Sequence, residues 1–238
     1  MIKIENQPDT ENRYLSMIDL TCNKSLLNRI RTNLDRFANR TKASRGLKEA
    51  AVAIAIVDTR KAPHLHDTET RESERGQAAI ILTRRSPNLK DHAGQWALPG
   101  GRVEPGEHPE ETVLRELEEE VGLRLDADRI VGCLDDYGTR SGFLITPVVV
   151  WAGADVSLTA NADEVASIHR IPLTELMRED APMLENIPES EHPVLFMPIG
   201  KDVVAAPTAA MIYQFREVAL CGNDTRVDHY EQPRFAWK

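Results

Sequence analysis

The sequence predicts an α+β fold, a mixed β-sheet between α-helices with helical additions at both ends. Three observations lead there. Apolar, β-branched segments that read as strands outnumber the amphipathic helical segments. The two types do not alternate regularly, as they would in a doubly wound sheet. No internal repeat, low-complexity block or long Gly/Ser linker divides the chain, and 238 residues suit one elaborated domain.

Taken in order, "KSLLNRIRTNLDRFANRTK" places Leu26, Leu27, Ile30, Leu34 and Phe37 at helical spacing, so an amphipathic helix is expected from Lys24 to about Arg40. "AVAIAIVD" (51–58) and "AAIILTRR" (78–85) are short, apolar runs that fit buried strands. The polar stretch between them, with His64 and His66, reads as a long hairpin loop. Residues 86–96 form a loop with several breakers, and "ALPGGRVEPGEH" is broken by prolines and glycines. "PEETVLRELEEEV" (109–121) is a helix with Pro109 in its first turn and Gly122 as its stop. Strands are expected at 128–139, 143–152 and 165–172, then a short helix in "PLTELMRED" and a late strand in "HPVLFMPI". A terminal helix over 207–220 stops at Gly222, and 223–238 shows no pattern.

Composition narrows the functional classes. A formal net charge of −9 repels phosphate backbones, which disfavours a broad nucleic-acid footprint but not a small phosphorylated ligand bridged by cations. Cys22, Cys133 and Cys221 are scattered and odd in number, against a disulfide framework or a zinc site. No apolar run approaches the ~18 residues of a membrane span, and the polar start lacks signal-peptide features. A cytoplasmic, membrane-free protein is expected.

The helix 109–121 breaks local rules. At about 100° per residue, Val113, Leu114, Leu117 and Val121 share one face. Glu116, Glu119 and Glu120 form a contiguous acidic face beside it, flanked by Arg115. Glu119 and Glu120 lie near the negative end of the helix dipole, and Glu116 and Glu120 are an i,i+4 like-charge pair. A solvated glutamate surface is one account. A site for a hard cation, Mg²⁺ or Mn²⁺, is the other, and the preceding glycines let a backbone oxygen of Gly100 or Gly101 join it.

From Gly101, the sequence runs Gly, five residues, Glu107, seven residues, then Arg115-Glu116-Leu117-Glu118-Glu119-Glu120-Val121-Gly122-Leu123. It resembles, position for position, the signature of the Nudix hydrolases. The resemblance implies a Nudix fold, with 46–200 as the Nudix hydrolase domain, 1–45 as an N-terminal helical extension and 201–238 as a helix and tail packed on the same domain. It implies divalent-metal-dependent hydrolysis of a pyrophosphate linkage in a nucleoside diphosphate derivative. Glu116, Glu119 and Glu120 would hold the metal with the Gly100 carbonyl. Arg115 would orient the carboxylates, and Glu107 would support the loop. The general base would be Glu116, Glu119 or Glu164, the last in "NADEVAS". Many members of the family are dimers, so a homodimer is among the expectations.

A second resemblance concerns substrate. "ILTRRSPNLKDHAGQWALPGG" (81–101) is similar to the stretch before the signature in coenzyme A pyrophosphatases, with Thr83, Arg85, Ser86, Leu89, His92, Gly94 and Pro99 in register. Trp96 and Leu98 depart from that pattern, as does "RVEPGE". This implies coenzyme A or acyl-CoA as substrate, giving 3′,5′-ADP and 4′-phosphopantetheine. ADP-ribose, a dinucleotide or a nucleoside triphosphate stay open, as does a nucleotide-sensing module without turnover. Arg84, Arg85, Lys90, His92 and Arg102 are the cations expected to meet phosphate. Trp96 is read either as a core residue or as a surface for a base.

Overall fold

The computed structural model describes residues 18–60, 76–89 and 92–237. The expectations for the N-terminal start, for His64 and His66, and for Lys90 lie outside those residues. The large sheet runs β3-β2-β1-β7-β5, where β1 is Lys48–Asp58, β2 Ala78–Arg85, β3 Trp96–Ala97, β5 Ile130–Cys133 and β7 Phe143–Gly153. Three more strands attach: β4 (Gly100–Arg102) to β1, β6 (Tyr137–Gly138) to β7 and β8 (Val165–Pro172) to β2. β1 and β7 are parallel and the other pairs antiparallel, so the sheet is mixed. A second, antiparallel sheet runs β11-β10-β9, from Asp202–Ala205, Val194–Ile199 and Met183–Glu185.

The central strand β1 explains the layers. Its side chains alternate between faces. Ala51, Ala53, Ala55 and Val57 pack with Val113, Leu117 and Val121 of α2 (Pro109–Val121). Three alanines in that row leave room for a helix to come close in a close-packed interior. Ile54 and Ile56 point the other way, into a cluster with Leu26 and Ile30 of α1 (Lys24–Arg36) and with the C-terminal helix. The short α3 is Leu173–Leu176, and α4 (Thr208–Phe215) continues as π-helical backbone over Arg216–Cys221. Gly222 ends it in left-handed conformation. The buried Arg216 lies at that transition and donates to the carbonyls of Leu176 and Ala181. No disulfide joins Cys22, Cys133 or Cys221 among the described residues.

Several expectations need correction. α1 stops at Arg36 rather than near Arg40. The chain beyond it is drawn off by two buried carboxylates: Arg40 N donates to Asp135 Oδ1 (2.7 Å) and Lys42 N to Asp136 Oδ2 (2.7 Å). Those aspartates also split the expected single strand 128–139 into β5 and β6, because their side chains serve tertiary hydrogen bonds. The broken glycine stretch contains a true strand, β4, with Gly100 opposite Val52, Gly101 opposite Ala51 and Arg102 opposite Ala50. The tail is not patternless. It bridges β10 at Glu231 and ends in a tight turn over Arg234–Trp237.

Two predictions follow from these contacts. A Cβ on Gly100 would lie 2.3 Å from the Ala51 carbonyl oxygen and 2.7 Å from Val52 Cα, both backbone. On Gly101 it would meet the Glu116 carboxylate, at 2.0 Å from Oε1. Backbone cannot swing aside and a side chain can. Calorimetric unfolding of Gly100→Ala should therefore show a loss of about 3 kcal/mol, the upper end of overpacking penalties, and Gly101→Ala a smaller one. Equal losses would show that the glycine strand adapts as a unit. Separately, Glu231 accepts from Arg140, which holds its carboxyl down to about 2. A depressed folded-state pKa stabilises above the unfolded value near 4.5 and loses that contribution as pH falls towards 2. The Tm gap between wild type and Glu231→Gln should narrow over that interval in acid melts.

Candidate active site

The close seat of α2 buries two of its acids. Glu116 is 8% exposed and Glu120 4%, while Glu119 is exposed. Burial pushes the Glu120 carboxyl up to about 8, with the neighbouring Glu116 charge adding to it and the Gly100 N–H and Arg85 charge opposing. Burial also raises Glu116, against the Arg115 guanidinium. The charge of Glu164 contributes to raising both, so that loop acid belongs electrostatically to the same group. Its backbone ties it to β2, since Ser86 N donates to the Glu164 carbonyl at 2.8 Å.

Arg115 organises the helix side. Its Nε and Nη2 donate to the two oxygens of Glu107 (2.9 and 3.1 Å), and Nη1 donates to Glu116 Oε1 (2.8 Å) and Glu119 Oε2 (3.1 Å). Nη2 also reaches the Arg102 carbonyl at 3.2 Å. The Glu107 carboxyl is held down at about 2, chiefly by Arg115. Thr112, fully buried, donates to Glu107 Oε2 at 2.8 Å, a contact the helical wheel did not suggest. Leu114, assigned to the apolar stripe, is only half buried.

The expected single acidic face is corrected here. Among the described residues no group of three or more His, Cys, Asp or Glu side chains converges as a ready cation cage. Arg115 Nη1 takes up Glu119 together with Glu116, and Glu120 Oε2 turns to accept from Gly100 N at 3.2 Å. Gly100 thus meets the helix through its N–H. The donor chemistry still fits a hard divalent ion. Two buried carboxylates repel one another within electrostatic reach of a third, all with oxygen donors and without imidazole or thiolate.

On the other face of β1, Lys48, Ala50 and Val52 form one edge of a cleft of about 680 Å³. Its floor continues through Gly100 and Gly101, which are the point of contact with the acidic helix. Lys48, Arg84, Arg85, Arg102 and His92 line it, and among the described residues no Asp or Glu does. At about 3.3 Å per residue, the row from Lys48 to Val52 spans roughly 13 Å. Arg85 belongs to both sides, lining the cleft while its charge lowers the Glu120 pKa. Its Nε is buried without a hydrogen-bond partner among the described residues.

The other expected cations differ in freedom. Arg84 stacks on Trp96 at 4.0 Å, donates to the Gly94 carbonyl (3.0 Å) and pairs with Asp202 of β11. Trp96 also donates to Asp202 Oδ2 (3.0 Å) and packs edge-on to His169, so it is held as part of the wall. Arg102 lies 5.5 Å from the Phe143 ring, and Lys48 lies 5.6 Å from it. His92 takes a left-handed φ of 56° in the loop before β3. Sequence reasoning missed Lys48 and Phe143. Their pairing in the β1–β7 register, Lys48 opposite Phe143, is a long-range fact with no local signal.

Comparisons with known proteins bear on the family of the chain. The sequence model of the NUDIX domain matches residues 70–189. The chain is 41% identical over 105 residues to the uncharacterized Nudix hydrolase NudL of Yersinia enterocolitica, covering 44% of this chain and 54% of that protein. It is 37% identical over 108 residues to Nudix hydrolase 3 of Caenorhabditis elegans, covering 44% and 45%. The chain spans about half the length of the curated relatives it matches. Among solved structures, a MutT/nudix family protein from Enterococcus faecalis aligns at 17% identity and TM-score 0.49, over 89% of this chain and 74% of that one. The NUDIX domain of Shewanella oneidensis NrtR, complexed with ADP ribose, aligns at 18% identity and TM-score 0.44, over 89% and 98%. Among the described residues no helix is long and apolar enough to cross a membrane. With the family model covering half of its length and the signature residues Gly101 to Leu123 gathered at one junction, the chain belongs to the Nudix family.

Proposed function

We propose that this protein is a divalent-metal-dependent pyrophosphohydrolase acting on a nucleoside diphosphate derivative, with coenzyme A or acyl-CoA as the preferred substrate class. One observation carries the reading. A chain of net charge −9 keeps a cation-lined cleft, with no Asp or Glu among its described lining residues, on one side of Gly100–Gly101 and buried carboxylates on the other. A polyanion is drawn to the first, and a hard cation to the second.

Glu116, Glu119 and Glu120, with Gly100, are the proposed holders of Mg²⁺ or Mn²⁺. The ion, when bound, neutralises phosphate charge and lowers the pKa of water. The protein does the rest. Arg115 fixes Glu116 and Glu119 and is itself fixed by Glu107. Arg85, Arg102 and Lys48 bind phosphate oxygens from the cleft side, and His92 borders them. A carboxylate of the acidic group takes the proton from the attacking water, with Glu164 the proposed base and Glu116 or Glu119 the alternative. Support for the coenzyme A assignment is the stretch 81–101, whose Arg85, His92 and Gly94 all line the cleft.

The test is a product analysis with Mg²⁺ or Mn²⁺ and, separately, coenzyme A, ADP-ribose, NADH, diadenosine polyphosphates and dGTP. The expected result is cleavage of coenzyme A to 3′,5′-ADP and 4′-phosphopantetheine. Glu120→Gln should lose on the order of 100-fold or more in kcat. ADP-ribose outpacing coenzyme A would remove the substrate class and keep the reaction. No cleavage of any compound would sink the reaction itself. In melts, saturating Mg²⁺ should raise the wild-type Tm by about 5 °C and leave a Glu116→Gln/Glu120→Gln variant unmoved.

A further inference from the structure

The family match ends at residue 189, yet the cleft does not. Val203 to Thr208, Met211, Phe235 and Ala236 complete its wall, all from the C-terminal addition. Among the described residues the large hydrophobic side chains left exposed are Val203, at 44%, and Phe235, at 55%. Both line this one cleft. Exposed apolar side chains gathered at a single concave site, beside cations, are what a ligand with a planar apolar part needs.

The position of Phe235 is fixed by its neighbours. On one side of it, Glu231 pairs with Arg140 and donates its N–H to the Pro193 carbonyl at 2.9 Å. Gln232 accepts from Arg140 N (3.2 Å) and donates to the Gly138 carbonyl (3.3 Å). On the other side, Trp237 Nε1 donates to the Gln232 carbonyl at 2.7 Å, and the Arg140 guanidinium lies 5.4 Å from its ring. Ala236 between them is buried. The turn is therefore held before and after Phe235, while the Phe235 ring itself stays open. Its own packing does not account for so many anchors.

We propose that Phe235, with Val203 beside the same cleft, is the stacking surface for the nucleobase of the substrate, and so a specificity residue contributed by the C-terminal addition. The assignment rests on the nucleotide-pyrophosphate reading above and names where its base binds. Base stacking on an aromatic ring is tolerant of base identity and adds to anion binding by Lys48, Arg85 and Arg102 without replacing it. An aliphatic chain would gain little from one open ring among charges. A base offers a π-face to the ring and carries its phosphates towards those charges.

The experiment titrates ADP and, separately, inorganic pyrophosphate into the full chain by calorimetry. Phe235→Ala should weaken ADP on the order of ten-fold, the usual loss for one stacked base, and leave pyrophosphate unchanged. Phe235→Trp should bind ADP at least as tightly as wild type. Phe235 is exposed, so truncation leaves the core intact, and unchanged pyrophosphate binding verifies that. Wild-type ADP affinity in Phe235→Ala, or an equal loss for both probes, would overturn the assignment. The hydrolysis panel reads a separate matter. A wild type that cleaves a nucleotide while Phe235→Ala binds ADP normally removes the stacking role alone. A wild type that binds ADP through Phe235 yet cleaves nothing removes the reaction and keeps the stacking surface.

Discussion

Gly101 has no Cβ, and the Glu116 carboxylate occupies the place where one would be. Much of the site depends on that contact. The row of alanines on β1 lets α2 sit close to the sheet, and that closeness buries Glu116 and Glu120. Buried carboxylates need partners. Here they find Arg115, the Gly100 N–H and, at a distance, the charge of Arg85. The first is set by α2 itself, the second by the register of β4 on β1, and the third by the end of β2. Small residues on two adjacent strands thus determine how charged ones on a helix are arranged.

Much of this was legible in the sequence because it is local. The limits of β2, β8 and α2 follow from period and capping, and Gly122 ends α2 in left-handed conformation at φ 66°, as its position suggests. The spacing of Glu107, Arg115 and Glu116 encodes contacts made within one loop and helix. What could not be read depends on distant pairing. β4 lies in a stretch of glycines and prolines, and it is a strand because β1 is beside it. Asp135 and Asp136 look like polar interruptions of a strand, but their partners are Arg40, Lys42, Thr146, Gln214 and Arg226. The acidic face was visible as composition. Its division into two buried acids and one exposed acid was not, because the helical wheel does not include the sheet.

The substrate-side residues show the same limit. Arg84 and Arg102 looked equivalent as basic residues near the signature. In the fold, Arg84 is committed to Asp202 and Trp96, which couples β2 to the C-terminal sheet, while Arg102 lies exposed by Phe143. Arg84 therefore reads as a strut that shapes the cleft wall, and Arg85 and Arg102 as the cations available to an anion. Charge counts cannot make that distinction, since it depends on which acid each arginine meets.

The two faces of the sheet carry different kinds of constraint. On the α2 side, a few carboxylates share one arginine, so a change to any of them alters the charge felt by the rest. On the cleft side, the cations are spread along roughly 13 Å of strand and over loops, and the apolar wall comes from a separate C-terminal sheet and turn. Apart from Arg85, whose charge lowers the Glu120 pKa, none of these cleft cations is among the causes that shift Glu116 or Glu120. Under the proposed reading, bond cleavage is fixed by the coupled face and substrate choice by the uncoupled one. The two meet at Gly100 and Gly101, where any added side chain would collide with one face or the other.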